Sequence, residues 1–149
     1  MKRIIITLAA VTLTAGSAVA DTLPGDVVFE GGVVTQSLTG VAGDAGNGRS
    51  VFANRKKGNC LACHTNADLS EQAFHGEVGP PLDDVASRYE EAELRGILAN
   101  SKNTFEDTIM PAFYRLAGFN RSLEKFDGKT ILSAQEVEDV LAYLQTLKE

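Results

Sequence analysis

The stretch GNCLACHT, Gly58–Thr65, lies near the middle of the 149-residue chain and decides how the rest of the sequence is interpreted. Cys60 and Cys63 are separated by two residues, and His64 follows directly. Thiols and an imidazole at this spacing serve in redox pairs, zinc sites and haem attachment. The chain has no other cysteine, so whatever the motif holds uses every thiol of the protein.

The three alternatives differ in what else they require. A thioredoxin-like dithiol follows a strand within a βαβ pattern, and the sequence shows no such pattern. A structural zinc site needs four ligands, and only His75 is available besides the motif. A c-type haem needs only the residues present, because both thiols attach to the haem and the adjacent histidine binds its iron. The motif therefore favours one covalent haem c, attached at Cys60 and Cys63, with His64 as an axial ligand.

The second axial ligand is predicted to be Met110. It is the only methionine besides Met1, and it precedes Pro111, which keeps it out of helical geometry and in a loop. A thioether opposite a histidine raises the reduction potential of the iron. A methionine that fills a gap in the core is the alternative interpretation. His75 is the competing ligand, and we interpret it instead as a surface loop histidine.

A histidine that binds a metal usually has its other ring nitrogen held by a hydrogen-bond acceptor. The rigid Gly-Pro-Pro turn at residues 79–81 offers such an acceptor, and the carbonyl of Pro80 is the candidate partner of His64. An ordinary turn with no such role is the alternative.

The first 20 residues have the organisation of an export signal. Two basic residues precede the apolar run Ile4–Gly16, which is shorter than the roughly 20 residues that span a bilayer. Small residues up to Ala20 supply a cleavage site, so we expect an exported mature chain that begins at Asp21 and has no membrane span. An uncleaved anchor is the alternative.

The chain is acidic, with 14 basic and 20 acidic residues and a formal net charge of −6 at pH 7. This balance argues against a nucleic-acid partner. Basic residues nevertheless flank the motif and Met110. Two interpretations of them stay open: a positive face that docks a partner or steers an anion, or an ordinary solvated surface. The residues are Arg55, Lys56, Lys57, Arg115, Arg121, Lys125 and Lys129.

The hydrophobic pattern predicts one mainly helical domain with long loops. Residues 21–45 are rich in glycine and predict an extended arm with one short strand at most. Short helices are predicted over Asn47–Ala53 and twice within Asp83–Asn100. The clearest element is the last, where Ser133 and Glu136 form a capping box before apolar residues at helical spacing. We therefore assign residues 1–20 to a signal peptide, 21–45 to the arm and 46–149 to the domain.

With these features the chain resembles the class I cytochromes c. Such domains have a haem motif, a Gly-Pro loop and a distal methionine between crossed N- and C-terminal helices. Gly48 and Phe52 match the first helix, in which a glycine permits a close crossing, and Tyr143 lies in the last. The resemblance implies an all-α fold around one haem, with His64 and Met110 as the axial ligands.

A more specific resemblance covers the chain from Ser37 to its end. The stretches Ser37–Arg49, Gly58–His64, Thr108–Arg115 and Leu132–Leu147 are similar to the SoxX subunits of the SoxAX cytochromes of bacterial sulfur oxidation. This resemblance implies a periplasmic heterodimer with a monohaem or dihaem SoxA subunit, acting as an L-cysteine S-thiosulfotransferase that joins thiosulfate to a cysteine of the carrier SoxYZ. The chain itself would transfer electrons to a downstream cytochrome and would carry no catalytic residue.

The residues themselves agree with a chain that transfers electrons while the sulfur chemistry takes place on another subunit. Joining thiosulfate to a thiol releases two electrons, whereas a single haem accepts one. Both cysteines are used by the haem, so no thiol remains for the sulfur chemistry. A free-standing electron shuttle to an oxidase or a photosynthetic reaction centre is the alternative function, and a thiol–disulfide protein is a third. The arm at residues 21–45 weakly favours a permanent partner.

Overall fold

The computed structural model describes residues 20–119, 124 and 127–148. Within these residues the chain has α-helices and short 3₁₀ turns but no strand, in agreement with the predicted all-α class. None of the described helices is long and apolar enough to cross a membrane. The helices are α1 Ala45–Ala53, α2 Val85–Arg88, α3 Glu91–Asn100 and α4 Ala134–Leu144, and the 3₁₀ turns are Cys60–Ala62, Ala67–Leu69 and Ser101–Asn103.

Helices α1 and α4 cross in close contact, as predicted for the first and last helices. Helix α1 begins two residues before its predicted start because the Asp44 carboxylate accepts hydrogen bonds from the first free amides of the helix. Gly48 lies at the crossing, where a Cβ atom would approach Asp139 O to 1.9 Å. Beside it, the rings of Phe52 and Tyr143 pack edge to face with centroids 5.4 Å apart. The predicted role of Gly48 is therefore confirmed.

Helix α4 has the predicted capping box and apolar face. The Ser133 hydroxyl accepts a hydrogen bond from the Glu136 amide at 3.2 Å, and the Glu136 carboxylate accepts one from the Ser133 amide at 3.0 Å. The two predicted helices before Asn100 are also present as α2 and α3. The apolar face of α4 and the segment after it is buried, through Val137, Val140, Leu141, Leu144 and Leu147.

The arm at residues 21–45 packs on the helices and contributes two side chains to the core. The strand that the sequence allowed is only an isolated bridge between Glu30 and Val33. Val34 and Leu38 are almost completely buried, and the Val34 amide donates to the Ala92 carbonyl of α3 at 3.0 Å. The arm is thus ordered by the helices of its own chain.

A buried ion pair, which the sequence did not predict, holds the arm between α3 and α4. Arg95 Nε donates to Glu138 Oε1 at 2.9 Å, and both side chains are about 95% buried. The same carboxylate accepts from the Leu38 amide at 2.7 Å, while Arg95 donates to the Val34 carbonyl at 3.2 Å. Burial alone would lower the pKa of Arg95, but its hydrogen bonds to Glu138 and Glu91 raise it. Arg95 therefore stays charged, and the pair joins three parts of the fold.

Candidate functional site

One cavity of about 630 Å³ brings all of the predicted site residues together. This volume is within the range of roughly 300–1,000 Å³ that cofactor pockets occupy. The Cys-x-x-Cys-His motif and the Gly-Pro-Pro turn form one part of its lining, and the segment around Met110 forms another. Most of the remaining lining is apolar, including Phe52, Leu82, Leu94, Leu98, Phe113 and Leu144.

The motif forms a single tight turn. Asn59 adopts the left-handed conformation with φ 51°, and the 3₁₀ turn Cys60–Ala62 follows it. The amides of Cys63 and His64 both donate to the Cys60 carbonyl, at 3.1 and 3.0 Å. Burial raises the pKa of the Cys60 thiol to about 12. A dithiol redox site needs a lowered thiol pKa, so this environment argues against the thioredoxin-like alternative.

The His64 imidazole is held in one orientation. Its Nδ1 lies 2.7 Å from the Pro80 carbonyl oxygen. Because a carbonyl oxygen can only accept, Nδ1 carries the hydrogen and donates it, which leaves the lone pair of Nε2 available to a metal. The ring packs against the backbone of Gly79, where a Cβ atom would lie 2.3 Å from His64 Cε1. Only glycine leaves room for the ring at this position.

The turn that carries Pro80 is fixed to the motif by its own backbone. The Gly79 amide donates to the Cys63 carbonyl at 2.7 Å, and the Leu82 amide donates to the Thr65 carbonyl at 3.1 Å. These two bonds hold both ends of the turn beside His64.

Met110 lies in a loop, as predicted, and the loop is anchored to the end of α3. The buried Ser101 hydroxyl donates to the Met110 carbonyl at 2.8 Å. The Met110 amide donates to Thr108 Oγ1 at 3.1 Å, and the Phe113 amide donates to the Leu98 carbonyl at 3.2 Å. These bonds place the half-buried Met110 in the lining of the cavity.

His75 is half-buried in its loop, and both of its ring nitrogens are hydrogen-bonded. Its Nδ1 accepts from the Asn66 amide at 3.2 Å, so its Nε2 carries the hydrogen and donates to the Leu69 carbonyl at 3.0 Å. Both ring nitrogens are therefore used within the loop, and His75 does not line the cavity. This arrangement argues against His75 as the second axial ligand.

The basic residues before the motif lie at the cavity. Arg55 and Lys56 are exposed in its lining, while Lys57 pairs with Glu136 of α4. The second basic segment is described only in part: Arg115 lies 5.6 Å from the centre of the Phe119 ring, and Lys129 is exposed. The other two residues of that segment, Arg121 and Lys125, lie outside the described residues.

Two polar residues near the site were not predicted. Ser101 follows α3, and Arg88 of α2 donates to the Pro81 carbonyl at 2.5 Å. The spacing of Asp84 and Arg88, four positions apart, predicts an ion pair on one helix face, which forms at 3.0 Å. That spacing does not reveal the carbonyl that Arg88 also binds.

The residues around the cavity fit a covalent haem. They provide two thiols in one turn, an imidazole with a free Nε2, a thioether from a separate loop and apolar walls. This donor set suits iron in a haem better than zinc, because it lacks a fourth zinc ligand and includes a soft thioether.

The family model of cytochrome c matches residues 45–148. The chain therefore belongs to the cytochrome c family, and its cofactor is one covalently bound haem c. Within solved structures it is similar to a chain in the crystal structure of SoxXA from P. pantotrophus, with 46% identity and a TM-score of 0.82. That match covers 87% of this chain and 100% of the other, and it confirms the resemblance to SoxX subunits.

A second similar structure is the c-type cytochrome SorU from Sinorhizobium meliloti. It is 27% identical, covers 70% of this chain and 90% of its own, and has a TM-score of 0.46. The comparison with curated proteins gave no match.

Proposed function

We propose that this chain is the electron-transfer subunit of a periplasmic SoxAX-type heterodimer. Its partner is a SoxA-type cytochrome, and the complex joins thiosulfate oxidatively to a cysteine of the SoxYZ carrier. The observation that carries this proposal is the likeness to SoxXA, at 46% identity over 87% of this chain. The thiosulfotransferase activity belongs to the complex, and a downstream cytochrome takes the electrons from this chain.

Within this role, Cys60 and Cys63 would attach the haem, and His64 Nε2 and the Met110 sulfur would bind its iron. The bound haem supplies reversible one-electron transfer. The Pro80 carbonyl accepts a hydrogen bond from His64 Nδ1 at 2.7 Å, which fixes the ring and makes Nε2 a stronger electron donor. Ser101 and Thr108 hold the backbone of Met110 in place.

The chain contributes no residue to the sulfur chemistry. Both cysteines are used for attachment, so the bond between thiosulfate and a thiol forms on another subunit. The buried side chains Phe52, Leu98 and Phe113 make part of the cavity wall apolar, and an apolar environment is one of the factors that set the reduction potential. The thioether of Met110 would raise that potential, which suits an electron acceptor.

The proposal includes an export signal at residues 1–20, cleaved after Ala20, an arm at 21–45 and a haem domain at 46–149. The family model begins at residue 45, which supports the last boundary. Residues 1–19 lie outside the described residues.

A free-standing electron shuttle is the second candidate, and the arm no longer argues against it. The arm packs on α3 and α4 of its own chain, so it needs no partner to become ordered. The arm therefore no longer distinguishes a subunit from a shuttle. Native purification distinguishes them, because recovery as a lone monomer favours the shuttle.

The ligand assignment is tested with two variants of the haem-loaded protein. Met110→Ala is expected to lose the sulfur–iron optical band and to lower the reduction potential. The matched control is His75→Gln, which is expected to keep both because the His75 ring bonds only within its loop. An unchanged spectrum and potential in Met110→Ala would show that Met110 is not the ligand.

The role in the complex is tested by reconstitution. We expect thiosulfate-dependent turnover with a SoxA-type subunit and SoxYZ to require this chain, and to be lost in Cys60→Ala/Cys63→Ala. Turnover that persists with the double variant would contradict the electron-transfer role. If Arg55 and Lys56 steer an anion or a partner, turnover also falls as salt is added. Turnover that does not change with salt would show that these residues are only part of the solvated surface.

A further inference from the structure

The Gly-Pro-Pro-Leu turn at residues 79–82 is poor in backbone donors. Pro80 and Pro81 have no N–H, so the backbone of the turn donates only from its two ends, Gly79 and Leu82. Its two central carbonyls point to side chains instead. The Pro80 oxygen accepts from His64 Nδ1 at 2.7 Å, and the Pro81 oxygen accepts from Arg88 Nη2 at 2.5 Å.

Arg88 is held firmly enough to fix the Pro81 carbonyl. Its Nε lies 3.0 Å from Asp84 Oδ1, one turn earlier in the chain, so the guanidinium is bound on two sides. The planar fork of a guanidinium loses little freedom when it makes several bonds at once. Its side chain is 33% exposed and lies in the lining of the cavity.

We propose that Arg88 is a positioning residue for His64, acting through the Pro81 carbonyl to keep the Pro80 carbonyl on the histidine ring. Without Arg88, the two proline rings still restrict the turn, but no side chain other than His64 holds its central carbonyls, so the Pro80 carbonyl can tilt away from Nδ1. The strength of that hydrogen bond sets how strongly Nε2 donates to a metal. The inference rests on the proposed function in one respect, namely that His64 binds the haem iron.

The test uses the reduced, haem-loaded protein and two variants that each remove one positive charge from the cavity wall. Arg88→Gln removes the donor to Pro81, whereas Arg55→Gln removes a charge from an exposed residue that makes no hydrogen bond to the turn. The measurement is the solvent exchange rate of the His64 Nδ1 hydrogen by NMR. The amide hydrogen of Val140, buried in α4, serves as the internal reference for global stability.

We expect Arg88→Gln to accelerate Nδ1 exchange about tenfold, since hydrogen bonds to charged groups are the stronger ones, while Val140 exchange and the Arg55→Gln variant stay near wild type. The faster exchange should be accompanied by a higher reduction potential than that of Arg55→Gln, because a weaker hydrogen bond makes Nε2 a weaker donor.

Unchanged Nδ1 exchange in Arg88→Gln overturns the proposal. So does an equal rise in Arg55→Gln, which would assign the effect to charge, or an equal rise at Val140, which would assign it to loss of stability. Failure of the proposed function is distinguishable, because the wild-type protein itself would then lack a histidine–methionine spectrum.

Discussion

Replacing Gly48 with alanine tests the packing on which the fold depends. A Cβ atom at this position would lie 1.9 Å from Asp139 O and 2.4 Å from its carbonyl carbon. Ordinary contact begins near 3.4 Å, so α1 and α4 must separate by about 1.5 Å. The obstacle is the main chain of α4, so no change of side-chain rotamer relieves it.

The magnitude follows from three contributions. Overpacking that forces a backbone shift costs about 1–3 kcal/mol, and a shift as large as this one belongs at the upper end. Separating the helices also weakens the edge-to-face pair of Phe52 and Tyr143, which is worth about 1 kcal/mol. Alanine returns about 1 kcal/mol through its better helix propensity. The expected net loss is about 3 kcal/mol, a large part of the 5–15 kcal/mol that usually stabilises a domain.

The assay is guanidinium unfolding of the haem-loaded protein, followed by circular dichroism. The matched control is Gly25→Ala, because a Cβ atom there meets nothing within 4 Å and should change the free energy of unfolding by less than about 0.5 kcal/mol. A Gly48→Ala variant that unfolds within about 0.5 kcal/mol of wild type would refute the close crossing.

The remaining predictions concern the packing of His64, the buried ion pair and the loss of stability at low pH. Gly79→Ala places a Cβ atom 2.3 Å from His64 Cε1, so we expect a displaced ring and a smaller fraction of protein with the histidine–methionine spectrum. Arg95→Met leaves the Glu138 carboxylate buried without its cation, and we expect unfolding by urea to show a loss of about 3–5 kcal/mol. Burial would raise the pKa of Asp139, but hydrogen bonds from the start of α1 and from α4 lower it. Its stabilisation is therefore present above about pH 4 and is lost as the pH falls through the folded pKa, so Asp139→Asn should flatten the acid side of the stability profile.

For each of these three variants, one result would contradict the expectation. A full histidine–methionine spectrum in Gly79→Ala would show that the ring does not pack on this residue. For the ion pair, Glu91→Gln removes only an exposed partner of Arg95 and should cost less than about 1 kcal/mol, so an equal loss in both variants contradicts the buried role of Glu138. If the stability of Asp139→Asn falls with decreasing pH as steeply as that of wild type, Asp139 does not contribute to acid unfolding.

Local signals allowed much of the helical fold to be predicted. The capping box at Ser133 and Glu136 lies within four residues of sequence, and the apolar spacing behind it needs only a helical period. The Met-Pro pair also acts locally, since Pro111 restricts Met110 directly. The haem motif is local as well, because its two thiols and its imidazole occupy one turn of the chain.

The arm and the ion pair could not be predicted, because their partners are far apart in sequence. Arg95 and Glu138 are separated by 43 positions, and Leu38 lies 100 positions before Glu138. A charged residue between buried apolar neighbours is a signal that it has a partner, but the pattern does not identify which one. The same limit applies to Ser101, whose bond to the Met110 carbonyl depends on the loop returning to the end of α3.

We propose that this chain carries one covalent haem and is a subunit of a two-cytochrome complex. Mass spectrometry of the natively purified protein, recorded first under native and then under denaturing conditions, tests both parts. We expect a native complex with a second cytochrome, and a denatured chain that begins at Asp21 and keeps the mass of one haem. A denatured chain with the mass of the polypeptide alone would contradict the haem attachment at Cys60 and Cys63, and a lone monomer would contradict the heterodimer.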